Sequence, residues 1–241
     1  KKYGYYFHED GKPAIYNKKA EHYLARVFSD YINKTNRKTY QEMMFDIAEL
    51  EYKKQSCNIY NIDENYADNF LKENNLTKKD KIICINLGSA GRWPSKAWNQ
   101  DNIIGLVKKL KSKNFKILLR GGENESELIS YLKNKLKNIN VIVNDPLPKE
   151  VSQPVQMMTL INLCELIITG DTLGLHIAAA LNKKVIALFF CTPPWEIEEY
   201  ENIIKLTSPL LEKYFYSNEY IEELTKSISV DEVFKECQKL I

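Results

Sequence analysis

Four short runs of glycine and polar residues stand out in this chain of 241 residues: 86–98 (NLGSAGRWPSKAW), 120–123 (RGGE), 170–176 (GDTLGLH) and 191–196 (CTPPWE). In the third run, Asp171 or Thr172 is placed to cap a helix that begins at Leu173. The free N–H groups of a helix start, with the dipole behind them, bind phosphate. Gly170 and Gly174 would let a ligand approach the backbone there. Asp171 is equally suited to be an ordinary N-cap, and both readings stay open. His176, one turn into the helix, is either a ring hydrogen-bonded within the core or a ligand contact. In the first run, Lys96 stands just before the next helix, where a point-charge ammonium suits a diphosphate; with 34 Lys and Arg in the chain it also reads as one more solvated cation. Arg92 is the other cation of that run. Glu123, behind two glycines, is placed either to hydrogen-bond ribose hydroxyls or to sit as a favourable charge at a helix start. Trp93 and Trp98 read as packing residues.

Several chemistries are excluded by spacing. Neither GxxxxGK[ST] nor GxGxxG occurs, so the usual ATPase, kinase and dinucleotide fingerprints fail. The five cysteines are scattered and odd in number, with no CxxC and no Cys/His cluster, so neither a metal site nor a disulfide framework is expected. Three separated histidines offer no ligand set. The formal charge of +2 supplies no electrostatic reason to bind nucleic acid. No run approaches the ~20 apolar residues that cross a bilayer, and the first residues lack the apolar core of a signal peptide. The expectation is a protein of a reducing, cytoplasmic compartment.

The elements that must position these loops follow from periodicity. Residues 82–86 (IICIN), 115–119, 140–143, 166–169 and 185–190 (VIALFF) are short apolar runs, with 203–207 a weaker sixth. Helical patterns at 101–111, 125–136 and 173–181 separate them. Continuous apolar strands alternating with helices indicate an α/β fold with a parallel sheet covered on both faces, doubly wound. In such a sheet ligands lie outside the carboxyl ends of the strands, which is where all four polar runs fall. Residues 1–77 differ. They hold ten of the fifteen tyrosines and read as amphipathic helices at 20–31 and 39–50, with no sheet of their own. They are expected to be the tail of another domain (1–77), followed by a Rossmann-like domain (78–228) and a C-terminal helix (229–241) that packs back on the N-terminal part.

The motifs INLGSAGRWPSKAW, LLRGGE and ITGDTLGLHIAAALNKKVIALFFCTPPWE, in that order, resemble the heptosyltransferase-like family of glycosyltransferases (family 9). The stretch GKPAIYNKKAEHY with NKTNRKTYQEMMF resembles the end of that family's N-terminal domain. The resemblance implies a GT-B architecture of two Rossmann-like domains, and inverting, metal-independent transfer without a cofactor. The implied partners are a nucleotide-sugar donor of the ADP-heptose kind and a glycan or lipid-linked acceptor, with peripheral contact to the inner membrane. It implies donor binding by Ser89, Lys96, Glu123, Asp171, Thr172, Gly174 and His176, with Lys96 stabilising the leaving diphosphate. Leu173 and Cys191 stand where the family motifs have glycine. The general base is expected in an N-terminal sheet that the chain does not contain, so this chain would carry the donor-binding half. Two other readings fit the same residues: a non-catalytic nucleotide-sugar-binding module, and a nucleotide-sugar epimerase of GT-B shape.

Overall fold

A computed structural model describes residues 1–54, 59, 61–88, 93–111, 113, 115–144 and 151–241. They form two compact units: one takes Lys1–Ser56 with Pro193–Glu199, the other Cys57–Thr192 with Tyr200–Ile241.

The N-terminal unit has a small sheet of its own, where the sequence reading places none. Strands β1 (Tyr5–Phe7) and β2 (Pro13–Ile15) pair antiparallel, and Gly11, at φ +78°, makes the connecting turn. Three helices follow, α1 (Lys19–Phe28), α2 (Asp30–Thr35) and α3 (Tyr40–Ala48). The helix expected over 20–31 is broken at Ser29, which adopts an extended backbone and caps α2 by accepting from the Ile32 N–H. Phe28 and Tyr31, two of the aromatic residues of that stretch, are exposed. Helix α3 starts at a capping box in which Thr39 and Glu42 satisfy each other's backbone N–H. The segment Pro193–Glu199 joins this unit by buried polar contacts. Arg26 forms an ion pair with Glu196, Asn36 also donates to Glu196, and the Trp195 indole donates to the Asn36 carbonyl at 2.8 Å.

The larger unit begins with α4 (Glu64–Glu73). Its Asp63 N-cap donates a backbone N–H to Thr159, and the helix packs on α7 (Gln153–Leu163). The expected domain end at 77 therefore falls inside this unit. Six parallel strands follow: β3 (Ile82–Asn86), β4 (Lys116–Arg120), β5 (Val141–Val143), β6 (Leu166–Gly170), β7 (Lys184–Phe189) and β8 (Ile203–Thr207). Their order is β5-β4-β3-β6-β7-β8. The first three strands run one way from the centre and the last three the other, which is the doubly wound order. Strands β3, β6 and β7 are buried along nearly their whole length, as continuous apolar runs require in a covered parallel sheet. Helices α5 (Gln100–Lys111), α6 (Ser126–Lys135), α8 (Leu173–Ala180), α9 (Glu222–Lys226) and α10 (Val230–Leu240) complete the unit. The structure corrects the placement of the last helix: α10 packs on α5 and β7, with Val233 and Cys237 in the core that also holds Ile103, Leu106 and Ile186. Its apolar positions complement α5 because Gly105 leaves room for Val230.

Candidate functional site

The strand order reverses between β3 and β6, so the crevice for a ligand lies at their carboxyl ends. Three polar residues stand in register across that edge: Arg120 pairs with Asn86, and Asn86 with Thr169. The Asn86 amide donates to the Thr169 hydroxyl at 3.0 Å and to the Thr172 hydroxyl at 3.1 Å, while its oxygen accepts from the Arg120 guanidinium at 3.2 Å. Thr172 is the N-cap of α8 and accepts from the Gly174 N–H at 3.2 Å. One continuous network thus holds the start of α8 against the sheet.

With Thr172 as the cap, Asp171 is released for another task. Its carboxylate pairs with the Lys96 ammonium at 2.9 Å, both side chains largely buried. Lys96 also lies 5.3 Å from the centre of the Trp93 ring, itself tilted against Tyr216. Lys96 is therefore at the rim, held between a carboxylate and an aromatic face. Trp98 packs as expected, its indole donating to the Ile228 carbonyl at 3.0 Å.

The glycines have a different purpose from the one their positions suggest. A Cβ on Gly170 would lie 2.6 Å from the Lys96 carbonyl oxygen, and one on Gly174 would lie 2.9 Å from the Asn86 amide nitrogen and 3.0 Å from Met157 Cε. Protein atoms fill the space that a side chain would take at both positions. Gly170 lets the turn Pro94–Lys96 pass over β6, and Gly174 lets α8 close on β3. Only a small cavity of about 10 Å³ remains among Asn86, Gly88, Lys96 and Gly170, room for roughly one water.

His176 is half-buried. Burial chiefly, with Lys96 adding, holds its ring below the ordinary imidazole value, and Asp171 opposes them. Leu173, first residue of α8, is 58% exposed at the rim. Cys191 is fully buried, and burial pushes its thiol up to about 11. Glu123 is exposed at the start of a short 3-10 turn. Ser89 and Arg92 lie outside the described residues.

Asn86 and Arg120, which open two of the polar runs but carry no role in the sequence reading, belong to this edge, as does Glu125. The Glu125 carboxylate accepts from the Gly122 N–H at 2.8 Å and would be the nearest group to a Cβ on Gly88. Asn86 and Arg120 did leave a signal, since each is a polar residue ending an apolar strand (IICIN, KILLR) at its carboxyl end. Among the described residues no three His, Cys, Asp or Glu side chains are grouped to hold a metal ion, and no helix is long and apolar enough to cross a membrane.

The fold has known counterparts. A glycosyl transferase family 9 structure from Veillonella parvula matches with a TM-score of 0.66 at 22% identity, covering 86% of this chain and 61% of that one. E. coli ADP-heptose lps heptosyltransferase II matches at 0.57 and 21%, covering 74% and 52%. E. coli heptosyltransferase WaaC, solved with ADP-2-deoxy-2-fluoro heptose, matches at 0.53 and 17%, covering 82% and 53%. The chain thus spans about half to three fifths of the length of these proteins. No curated protein matches it. The profile of glycosyltransferase family 9 (heptosyltransferase) matches residues 10–214. The chain, a GT-B-type α/β protein, belongs to glycosyltransferase family 9.

Proposed function

We propose that this chain binds the nucleoside diphosphate sugar, of the ADP-heptose kind, for an inverting transfer to a lipopolysaccharide-core or related glycan acceptor. The observation that carries the reading is the pairing of Lys96 with Asp171 at the start of α8, on the switch-point edge of the sheet. Fixed N–H groups and an ammonium meet there, as a leaving diphosphate requires.

In the reaction an acceptor hydroxyl attacks the anomeric carbon as the bond from that carbon to the diphosphate oxygen breaks. The hydroxyl proton passes to a general base, for which no described residue is nominated. Negative charge grows on the leaving diphosphate. Lys96 exchanges part of its contact with Asp171 for a phosphoryl oxygen, and the first N–H groups of α8 complete the cradle. Such donors act because they bind the developing charge more tightly than the donor substrate, and each is worth about 2.7–4 kcal/mol of barrier. No metal is called on, because ammonium and helix N-terminus supply the positive potential. Asp171 and Thr172 position that cradle; His176, neutral near pH 7 through burial, sits one turn behind it. Glu123 or Glu125 accepts from ribose hydroxyls beyond the end of β4. A lipid-linked acceptor places the reaction at the cytoplasmic face of the inner membrane.

Titration calorimetry with ADP and an ADP-sugar tests this reading. Lys96→Ala is expected to weaken both by about tenfold or more, the worth of a charge-assisted hydrogen bond. Lys96→Ala combined with Asp171→Asn removes the complication of an unpaired carboxylate. Unchanged affinity in both variants would refute the assignment.

A further inference from the structure

Arg120 is the last residue of β4 and stands beside Asn86 at the carboxyl edge. Its guanidinium makes one hydrogen bond, to the neutral oxygen of Asn86, and its Nε is buried without a partner. Among the described residues no carboxylate forms an ion pair with it. Arg120 is half-buried, and a buried guanidinium nitrogen without an acceptor is costly. Burial works against its charged form, with Cys84, Glu125 and Tyr66 pulling the other way.

The charges around it sharpen the question. Lys96 and Asp171 neutralise each other. His176 is uncharged near pH 7. Glu123 and Glu125 add two negative charges beside the end of β4. Without Arg120, the described part of this edge would be net negative and would repel the dianionic group that a nucleoside diphosphate brings. Among the described residues Arg120 is a cation of this edge with no direct ion pair, Glu125 acting on it only at longer range. It lies on the same network, through Asn86 and Thr172, as the first N–H groups of α8. A planar guanidinium with free N–H donors suits phosphoryl oxygens better than any other ligand group.

We propose that Arg120 is a second anion-binding residue of this edge, taking a phosphoryl oxygen of a diphosphate-bearing ligand alongside the N-terminus of α8. The assignment rests on the reading that the donor lies over this edge. Ligand binding then supplies an acceptor for guanidinium N–H groups that the fold leaves unpaired.

Calorimetric titration of the full chain with inorganic pyrophosphate, ADP and adenosine tests it, with thermal melting to confirm folding. Arg120→Met is expected to weaken pyrophosphate and ADP about tenfold or more and to leave adenosine unchanged. Arg120→Lys, which keeps the charge, should fall between. If Arg120→Met does not melt cooperatively, Arg120→Lys and Arg120→Gln carry the comparison. Wild-type affinity for pyrophosphate and ADP in the uncharged variant overturns the proposal and leaves the donor reading intact. An equal loss in Asn86→Ala, with no rescue by lysine at 120, means that the guanidinium only holds Asn86 and also overturns it. A wild-type chain that binds pyrophosphate through Arg120 but no nucleoside diphosphate removes the donor reading alone. Failure to bind either removes both.

Discussion

Gly170→Ala is the sharpest probe of how the edge is built. The new Cβ would stand 2.6 Å from the Lys96 carbonyl oxygen, whereas ordinary contact begins near 3.4 Å. The shortfall is about 0.8 Å, and the obstructing atom is backbone, not the end of a flexible side chain. The backbone at 170 is not in the left-handed region, so the cost is steric and not conformational. Overpacking of this kind costs about 1–3 kcal/mol. In a domain of this size each kcal/mol moves the melting temperature by about 2–4 °C, so a fall of roughly 2–12 °C is expected. Relief requires the turn Pro94–Lys96 to lift by most of that shortfall, carrying Lys96 with it. Displacements near 1 Å at a binding group cost up to ~100-fold, so ADP affinity should drop with stability. Gly88→Ala supplies the control: its nearest neighbour, a Glu125 carboxylate oxygen at 3.7 Å, is an ordinary contact, and its melting temperature should match wild type. Melting thermally and titrating ADP on both variants decides the matter. Wild-type melting and ADP affinity in Gly170→Ala would refute the close passage of the turn over β6.

Two further outcomes follow from buried charges. Glu196→Ala leaves Arg26 buried without its carboxylate, at a cost of about 3–5 kcal/mol in urea denaturation of the N-terminal unit, and Arg26→Met with Glu196→Leu should recover most of it; a loss under ~1 kcal/mol would mean the pair is open to solvent. His176 is held below its free value of 6.5 chiefly by burial, so between the two values the unfolded chain binds more protons. Its contribution to stability is complete above pH ~6.5 and declines as pH falls through the folded value. Denaturation midpoints in His176→Asn should vary less with pH over that window, and an identical pH slope in the variant would count against the buried ring.

The sheet was legible because its strands are unbroken apolar runs bounded by helices, a pattern only a covered parallel sheet satisfies. The six strands, the rim that carries the four polar runs, and the family all followed from VIALFF-like segments and the loops behind them. The N-terminal unit was harder to read. Its aromatic residues mimic a buried stripe in sequence, yet Ser29 breaks the helix, and a three-residue hairpin is too short to announce itself. The seven residues Pro193–Glu199 leave one unit for the other, which no local pattern encodes.

What the sequence determined by itself was periodicity and chemistry: which segments are strands, and where glycines and charges gather. Only the tertiary structure decided how those charges are spent. It set Asp171 on Lys96, gave the cap to Thr172, turned Gly170 and Gly174 into packing contacts, and left the Arg120 Nε without a hydrogen-bond partner. The reason is physical: propensity and hydrophobic period act over a few neighbouring residues, whereas hydrogen bonding and close approach join residues far apart in the chain, such as Asn86 and Thr169 at a separation of 83 positions, and exist only once the strands are in register.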